Sequence, residues 1–343
     1  MKIYMLSQFN ATLLKIISAN FALNVFLLLF LASCGNETEK PKDIPVKTVE
    51  VNKLPTPVFN ADSAYGYVKA QVDFGPRVPG TAPHAKCADY LVTKLKSFGF
   101  EVMVQTGTIQ TYDKKQFNLK NIIASFKPEL QSRILLCSHW DTRPIAEKDT
   151  KNPNQPGDGA NDGASGVGVA LEIARQINLS TPNVGIDIIF FDLEDYGLNG
   201  DSGNGPSTWC LGSQYWAKNL HTPNYYADFG ILMDMVGGKD AIFTKEQTSV
   251  SYAPEVVDKV WKAANDIGYR NYFSPQVQSF VGEDDHIYVN EAGIKCIDII
   301  EYNQASGGFA DYHHTHKDNI DAVDKQTLKA VGQTVLEVIY REL

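Results

Sequence analysis

Three acidic or imidazole clusters follow or border apolar runs in the first part of the chain. Residues 134–137 precede a His-Trp-Asp triplet, and residues 186–191 precede a Glu-Asp pair; a further Asp precedes a helix-like segment at 163–177. In an open α/β sheet, ligands bind outside the carboxyl ends of the strands. We therefore expect the clusters to meet at one sheet edge. Their members are His139, Asp141, Asp162, Glu194 and Asp195.

The second part of the chain holds more groups of the same kind. Asp234 follows the apolar run 229–233, an Asp-Asp-His triplet occupies 284–286 in a predicted loop, and three histidines lie within 313–316. Zinc ions in proteins are bound by ligands such as imidazole nitrogen and carboxylate oxygen, and a catalytic zinc ion keeps one coordination position open for substrate or water. These residues are sufficient for one such ion, or for two ions bridged by one carboxylate.

The composition is that of an ordinary globular protein. The chain has 343 residues, of which 43% are hydrophobic and 21% charged, enough for one large core. Its net charge of −9 argues against a nucleic-acid partner, because phosphate binding needs a basic face. Part of the negative charge belongs to the clustered carboxylates, which a bound cation would offset.

Residues 1–33 are predicted to be a signal peptide. Lys2 and Lys15 precede an apolar run at 21–32, which is too short to span a bilayer as a stable helix. Residues 31–34 resemble the lipobox of bacterial lipoproteins, which implies cleavage before Cys34 and lipidation of its thiol. The alternative is an apolar but ordinary N-terminus. Gly35 stands where an Asp would favour inner-membrane retention in some bacteria, so we expect a periplasm-facing outer-membrane lipoprotein.

Residues 34–59 are predicted to be a flexible tether behind the lipidated cysteine, because this stretch starts polar and aperiodic. Residues 60–343 alternate strand-like and helix-like segments. They predict a single α/β domain with a mixed, mostly parallel, twisted sheet that carries helices on both faces. Predicted helices lie at 62–72, 83–98, 163–177, 212–220, 254–267 and 325–340. Predicted strands lie at 101–110, 117–126, 134–137, 186–191, 229–233, 241–244 and 294–301.

Four cysteines remain within the folded domain. An exported chain could pair them as disulfides. Cys137 and Cys296 lie inside apolar strand-like runs, however, and one sequence does not set connectivity. We therefore predict buried free thiols at Cys87, Cys137, Cys210 and Cys296.

Taken together, the motifs resemble those of the zinc aminopeptidase and glutaminyl cyclase superfamily. The closer likeness is to the glutaminyl-peptide cyclotransferases, including bacterial lipoprotein members. The resemblance covers about residues 60–343 and implies a zinc aminopeptidase-like fold with one Zn²⁺ per chain. The motifs that carry it lie at 75–80, 139–141, 162, 194–195, 234, 284–286 and 314–315.

The resemblance also implies a role for each position. The implied zinc ligands are Asp162, Asp195 and His314. Glu194 is implied as the general acid/base, and Asp234 and Asp285 as partners in a hydrogen-bonded acidic network. In a two-metal aminopeptidase, His139 and Asp234 would bind a second zinc, with Asp162 bridging. Asp141 would then orient His139.

Other interpretations of single residues remain open. Asp162 could cap the helix that follows it, and Glu194 could be a surface carboxylate. His313 or His316 could replace His314 as the ligand, although the His-Thr pair followed by Asp318 matches the family pattern. The family usually has Glu where this chain has Asp195, which is one methylene shorter.

The implied activity is conversion of N-terminal Gln to pyroglutamate with release of ammonia. Zinc would polarise the γ-amide carbonyl, and Glu194 would carry a proton from the α-amine to the leaving ammonia. The expected partners are peptides and proteins with N-terminal Gln. A dinuclear zinc aminopeptidase is the first alternative function. A non-catalytic peptide-binding lipoprotein is the second.

Overall fold

The computed structural model describes residues 54–200, 205–302 and 308–342. The predicted signal peptide, Cys34 and most of the predicted tether lie outside the described residues. Among the described residues, no helix has the length and apolar character needed to cross a membrane.

Helices and strands alternate along the described chain. The α-helices are α1 (Ala61–Val72), α2 (Ala82–Ser97), α3 (Ala164–Leu179), α4 (Leu211–Lys218), α5 (Gln247–Tyr252), α6 (Pro254–Asp266), α7 (Asp285–Glu291) and α8 (Lys325–Arg341). The strands are β1 (Glu101–Gln110), β2 (Gln116–Phe126), β3 (Arg133–His139), β4 (Gly185–Phe191), β5 (Phe229–Asp234), β6 (Phe243–Lys245), β7 (Phe273–Val277) and β8 (Cys296–Ile300). A short 3₁₀ helix spans Ile320–Ala322.

Local side chains explain where the first helices begin and end. Asn60 accepts a hydrogen bond from the backbone N–H of Ser63 and so caps α1. Thr81 caps α2 in the same way through the N–H of His84. Gly99, with φ of +79°, follows the end of α2, a backbone conformation that glycine adopts without strain.

Six strands form the main sheet in the order β1-β2-β4-β3-β5-β8. The pairs β4–β3, β3–β5 and β5–β8 are parallel, whereas β1–β2 and β2–β4 are antiparallel. Strands β6 and β7 form a separate parallel pair. The carboxyl ends of β3, β4 and β5 therefore point to the same sheet edge, where His139 and Asp234 are the last strand residues.

Helices cover both faces of the sheet. Alternate residues such as Ile134 and Ile188 join the larger core, to which α1, α2, α3, α6 and α8 contribute. Their neighbours Leu135 and Ile189 face the smaller core, with α4 and α7. Because helices cover both faces, β3 and β4 are buried along their whole length. Strands in this position are almost continuously apolar rather than alternating.

The predicted fold is confirmed: one mixed, mostly parallel sheet lies between helices. Cys87, Cys137, Cys210 and Cys296 are buried free thiols, as predicted. Four short elements, namely α5, α7, β7 and the 3₁₀ helix, were not predicted. The predicted loop at 284–286 is wrong, because Asp284 accepts a hydrogen bond from the N–H of Asp285 and caps α7.

Candidate active site

Asp162 lies in the loop that leads into α3. The N-cap of α3 is Gly163, and no side chain caps the helix, so Asp162 is not a helix cap. A Cβ at Gly163 would lie 2.8 Å from Cε1 of His139, so the loop approaches the end of β3 closely. Asp318 holds this loop, since its carboxylate accepts from the N–H groups of Asn161 and Asp162 at 2.7 and 3.1 Å. The Asp162 side chain remains available to a ligand.

His314 lies between two of the predicted ligands. Its Nε2 is 3.2 Å from Oδ1 of Asp195 and 3.5 Å from Oδ2 of Asp162. Its Nδ1 is 2.7 Å from Oε1 of Glu147, a contact that places the Nδ1 proton between them and leaves the Nε2 lone pair free. Donors bound about 2 Å from a tetrahedral zinc lie about 3.3 Å apart, so these separations suit such an ion.

The neighbouring histidines are oriented differently. Nδ1 of His313 lies 2.6 Å from Nζ of Lys148, and an ammonium group can only donate. This contact places the His313 proton on Nε2, which lies 3.6 Å from Oδ2 of Asp162. His313 nevertheless has donor atoms close enough to those of Asp162 and His314 to hold an ion. His316 pairs through Nδ1 with Asp149 at 2.9 Å and is partly exposed.

His139 forms a second group around Asp162. Its Nε2 lies 3.0 Å from Oδ1 of Asp162 and 3.2 Å from Oδ1 of Asp234, so Asp162 contacts both groups. Its Nδ1 is 3.6 Å from Oδ1 of Asp141 and makes no hydrogen bond in the described residues. Asp141 instead accepts from the N–H groups of Glu194 and Asp195 at 3.1 and 3.3 Å. It holds the Glu-Asp pair in place and leaves His139 without an orienting partner.

The charges and unpartnered atoms of the site fit a divalent cation. Asp162, Asp195 and Asp234 are all buried, and buried carboxylates are costly without a counter-charge. Oδ1 of Asp234 and both ring nitrogens of His139 have no hydrogen-bond partner among the described residues. Burial alone would lower the pKa of His314, but Asp195 and Glu147 outweigh it and raise that pKa to about 9. A position that attracts a proton this strongly also attracts a metal cation.

Glu194 lies on the wall of a cavity of about 470 Å³. Its side chain is 13% exposed, so it is not an ordinary surface carboxylate. Burial raises the pKa of Glu194 well above its usual range, and Asp195 and Asp284 add to the rise although His139 opposes it. A cavity carboxyl group with a raised pKa is suited to proton transfer near neutral pH.

Asp284 lines this cavity together with Asp234. The family resemblance implied Asp285 as the partner of Asp234 in an acidic network, and in the structure Asp285 does not line the cavity. Its side chain is fully buried and accepts a hydrogen bond from the hydroxyl of Ser213. The two neighbours diverge because Asp284 is the cap of α7 and Asp285 is its first helical residue.

Two aromatic side chains line the cavity, namely Trp209 and Phe309. The Trp209 ring is stacked parallel to the His314 ring, with centroids 6.1 Å apart. Trp140 and Trp216 are fully buried in the interior. Trp209 therefore belongs to the wall around the predicted zinc ligands.

Sequence reasoning missed several residues that contact this site. Glu147 accepts from Nε of Arg143 at 2.7 Å, and Arg143 donates to the carbonyl oxygen of Asp195 at 3.0 Å. Lys148 was not singled out either, and Cys210 was predicted only as a buried free thiol. No periodicity marks the loop at 140–158, so the acidic and basic side chains of that loop carried no usable signal.

Comparison of the chain with known proteins supports the family that the sequence motifs suggested. A family model described as peptidase family M28 matches residues 121–339. A glutaminyl cyclase of Bacteroides thetaiotaomicron and a Zn-dependent exopeptidase of Parabacteroides distasonis, both solved structures, are each 52% identical to this chain. Each match covers 84% of this chain and 100% of the solved chain, with a TM-score of 0.81.

A curated glutaminyl-peptide cyclotransferase of Drosophila melanogaster is 25% identical over 275 residues, which are 74% of this chain and 73% of that protein. The family model spans well over half of the present chain. The chain therefore belongs to peptidase family M28, and a bacterial glutaminyl cyclase is among its half-identical structural relatives.

Proposed function

We propose that this protein is a zinc-dependent glutaminyl-peptide cyclotransferase. It converts the N-terminal Gln of peptides and proteins to pyroglutamate and releases ammonia. The cyclases among its relatives support this assignment, and zinc fits both the family and the donor set of the cavity. The observation that carries the proposal is that His314 has an orienting carboxylate whereas His139 has none.

This difference supports one zinc per chain. A metal-bound histidine almost always donates its second ring N–H to a carboxylate, a carbonyl or water. Glu147 supplies such a partner to His314 at 2.7 Å. The corresponding contact of His139 with Asp141 is 3.6 Å long and is not a hydrogen bond. The proposed ligands are therefore Asp162, Asp195 and His314.

Zinc bound there would supply a Lewis acid for the γ-amide carbonyl of the substrate Gln. Glu194, the neighbour of Asp195 on the cavity wall, accepts a proton from the α-amine as that nitrogen attacks the carbonyl carbon (Cδ) of the side-chain amide. The new C–N bond closes the five-membered lactam, and the bond from this carbonyl carbon to the amide nitrogen breaks. Glu194 then returns the proton to the departing nitrogen, which leaves as ammonia.

Asp234 and Asp284 complete the proposed catalytic group. Both line the cavity beside Glu194. If His139 holds no metal, Asp234 is free to accept hydrogen bonds from the substrate. Carboxylate oxygens can accept hydrogen bonds from the N–H groups of the substrate's α-amine and of its side-chain amide. Asp284 takes the role that the sequence gave to Asp285.

A comparison of two substrates tests the reaction. The zinc-loaded protein should convert a Gln-Ala peptide to a product lighter by one ammonia, measured by mass spectrometry. A Leu-anilide should remain intact under the same conditions. Free Leu, together with cleavage of Gln-Ala into its amino acids, would show that the protein is an aminopeptidase.

A dinuclear aminopeptidase is the second candidate function. His139, Asp162 and Asp234 have donor atoms spaced for an ion, and the Parabacteroides relative is an exopeptidase by name. In that reaction Glu194 would activate a metal-bound water rather than the substrate amine. A non-catalytic binding lipoprotein would have no use for Glu194 in the cavity.

We also propose that lipid on Cys34 attaches the protein to a membrane, with the outer membrane preferred. The support is the Leu-Ala-Ser-Cys motif at 31–34 and Gly35 after it. Residues 35–59 would then hold the catalytic domain on the periplasmic side of the membrane.

A further inference from the structure

Cys210 contacts the proposed general acid/base twice. Its Sγ lies 3.2 Å from Oε1 of Glu194. Its backbone N–H donates to the carbonyl oxygen of Glu194 at 2.9 Å, and the N–H of Leu211 donates to Leu193 in the same way at 3.0 Å. The segment before α4 is therefore held against the segment that carries Glu194, and the Cys210 side chain reaches the Glu194 carboxyl group.

The backbone of Cys210 is left-handed, with φ of +54° and ψ of +33°. This conformation is uncommon for residues other than Gly, Asn and Asp, and non-Gly residues adopt it mostly where the surroundings impose it. Met235 and His314, which line the cavity, also have positive φ. A glycine would adopt the backbone conformation of position 210 without strain, so backbone geometry does not explain why this residue is a cysteine. The contact of its side chain with Glu194 offers an explanation.

The Cys210 thiol is suited to donate a hydrogen bond rather than to accept one. Cys210 is fully buried, and burial raises the pKa of its thiol well above the usual range, with Glu194 adding to the rise. The sulfur therefore keeps its proton, and a carboxylate oxygen is the acceptor within reach. An S–H group is a weak donor, but inside a low-dielectric wall even a weak hydrogen bond restricts the orientation of a carboxylate.

We propose that Cys210 is a positioning residue, whose S–H···Oε1 hydrogen bond holds the Glu194 carboxylate in its productive orientation. The inference rests on the role proposed for Glu194. Oε1 is engaged by the thiol, while Oε2 lies 3.9 Å from Nδ1 of His139. The two oxygens are thereby distinguished, and one of them remains available for the proton that Glu194 moves.

Substitutions at Cys210 separate positioning from packing. In the zinc-loaded full chain, Cys210→Ala should lower kcat about ten-fold, the scale of one lost hydrogen bond to a charged group, and leave KM within about two-fold. Cys210→Ser keeps a donor and should restore most of kcat. If the thiol merely filled space, the order would reverse, because Ser buries a hydroxyl where Ala does not. Cys87→Ala removes another buried thiol, on α2, and should leave kcat unchanged.

A double-mutant cycle with Glu194→Gln tests whether the effect passes through Glu194. In that background Cys210→Ala should cause no further loss of kcat. An undiminished ten-fold loss would overturn the proposal, as would Ser being no better than Ala.

Infrared spectroscopy gives a readout that needs no substrate. The S–H stretching band of Cys210, assigned by subtracting the Cys210→Ala spectrum, should move to higher wavenumber when Glu194 is replaced by Ala. A band that Glu194→Ala leaves unmoved would contradict the hydrogen bond. Because this measurement is independent of turnover, a protein that fails to cyclise Gln peptides would refute the proposed reaction without deciding this result.

Discussion

Glu147 joins His314 to Arg143: its Oε1 lies 2.7 Å from Nδ1 of His314, and its Oε2 accepts from Nε of Arg143 at 2.7 Å. Arg143 also donates to the carbonyl oxygen of Asp195 at 3.0 Å. Residues from one loop thus contact two of the three proposed zinc ligands. Burial would raise the pKa of Glu147, but His314 and Arg143 outweigh it and lower that pKa to about 2. Glu147 therefore stays anionic and able to orient His314.

Removing this carboxylate should weaken zinc binding. Glu147→Ala leaves the His314 ring without its partner, and loss of such a contact typically costs about 10–100-fold in metal affinity. Competition with a chelator of known affinity measures the change. Glu101→Ala, at an exposed position on β1, is the matched control and should bind zinc as the parent does. Equal affinities in the two variants would contradict this role for Glu147.

The number of metal ions can be read from two histidine variants. His314→Ala should lose zinc, because it removes the one nitrogen among the proposed ligands. His139→Ala should retain a full equivalent, since His139 is not proposed to bind the ion. Elemental analysis after dialysis measures both. Two equivalents in the parent, with one lost in His139→Ala, would instead support the dinuclear site.

Glu194→Gln should separate binding from chemistry. The substitution keeps the size of the side chain but removes the group that accepts and returns the proton. Turnover of Gln-Ala should fall by about 100-fold or more, the usual scale of general acid–base catalysis. Zinc content, checked on the same sample, should be unchanged. Activity within a few-fold of the parent would exclude Glu194 as the acid/base.

The adjacent pair Asp284 and Asp285 provides its own control. Asp284→Asn changes a residue on the cavity wall, and we expect kcat to fall about ten-fold or more. Asp285→Asn changes a residue bonded to Ser213 behind that wall, and an amide oxygen can still accept that bond. Its kcat should stay within a few-fold of the parent. Steady-state kinetics on Gln-Ala decide between them, and the opposite ranking would restore the assignment made from sequence.

Cys34→Ser tests attachment to the membrane. The substituted residue cannot carry the lipid, whose acyl chains supply the proposed binding energy. The variant should move from the membrane pellet to the soluble fraction when cells are fractionated and probed with an antibody. Undiminished sedimentation with the membranes would mean that Cys34 is not the anchor.

The order of helices and strands could be read from the sequence, because apolar periodicity reports which face of each segment is buried. The helix over residues 254–266 and the strand over 229–234 were predicted within a residue at each end. The same reasoning brought His139, Asp162, Asp195 and Asp234 to one sheet edge, since parallel strands end together. Short elements without a clear period, such as α5 and β7, were missed.

The sequence by itself therefore determined the architecture and the chemical types gathered at the sheet edge. Only the tertiary structure decided which of three nearby histidines has a free Nε2 facing the carboxylates, and which of Asp284 and Asp285 lines the cavity. The tertiary structure alone showed that Glu147 contacts His314 and that Cys210 contacts Glu194. The physical reason is that periodicity encodes the burial of regular segments. The directions of loop side chains depend instead on hydrogen bonds between residues far apart in the chain.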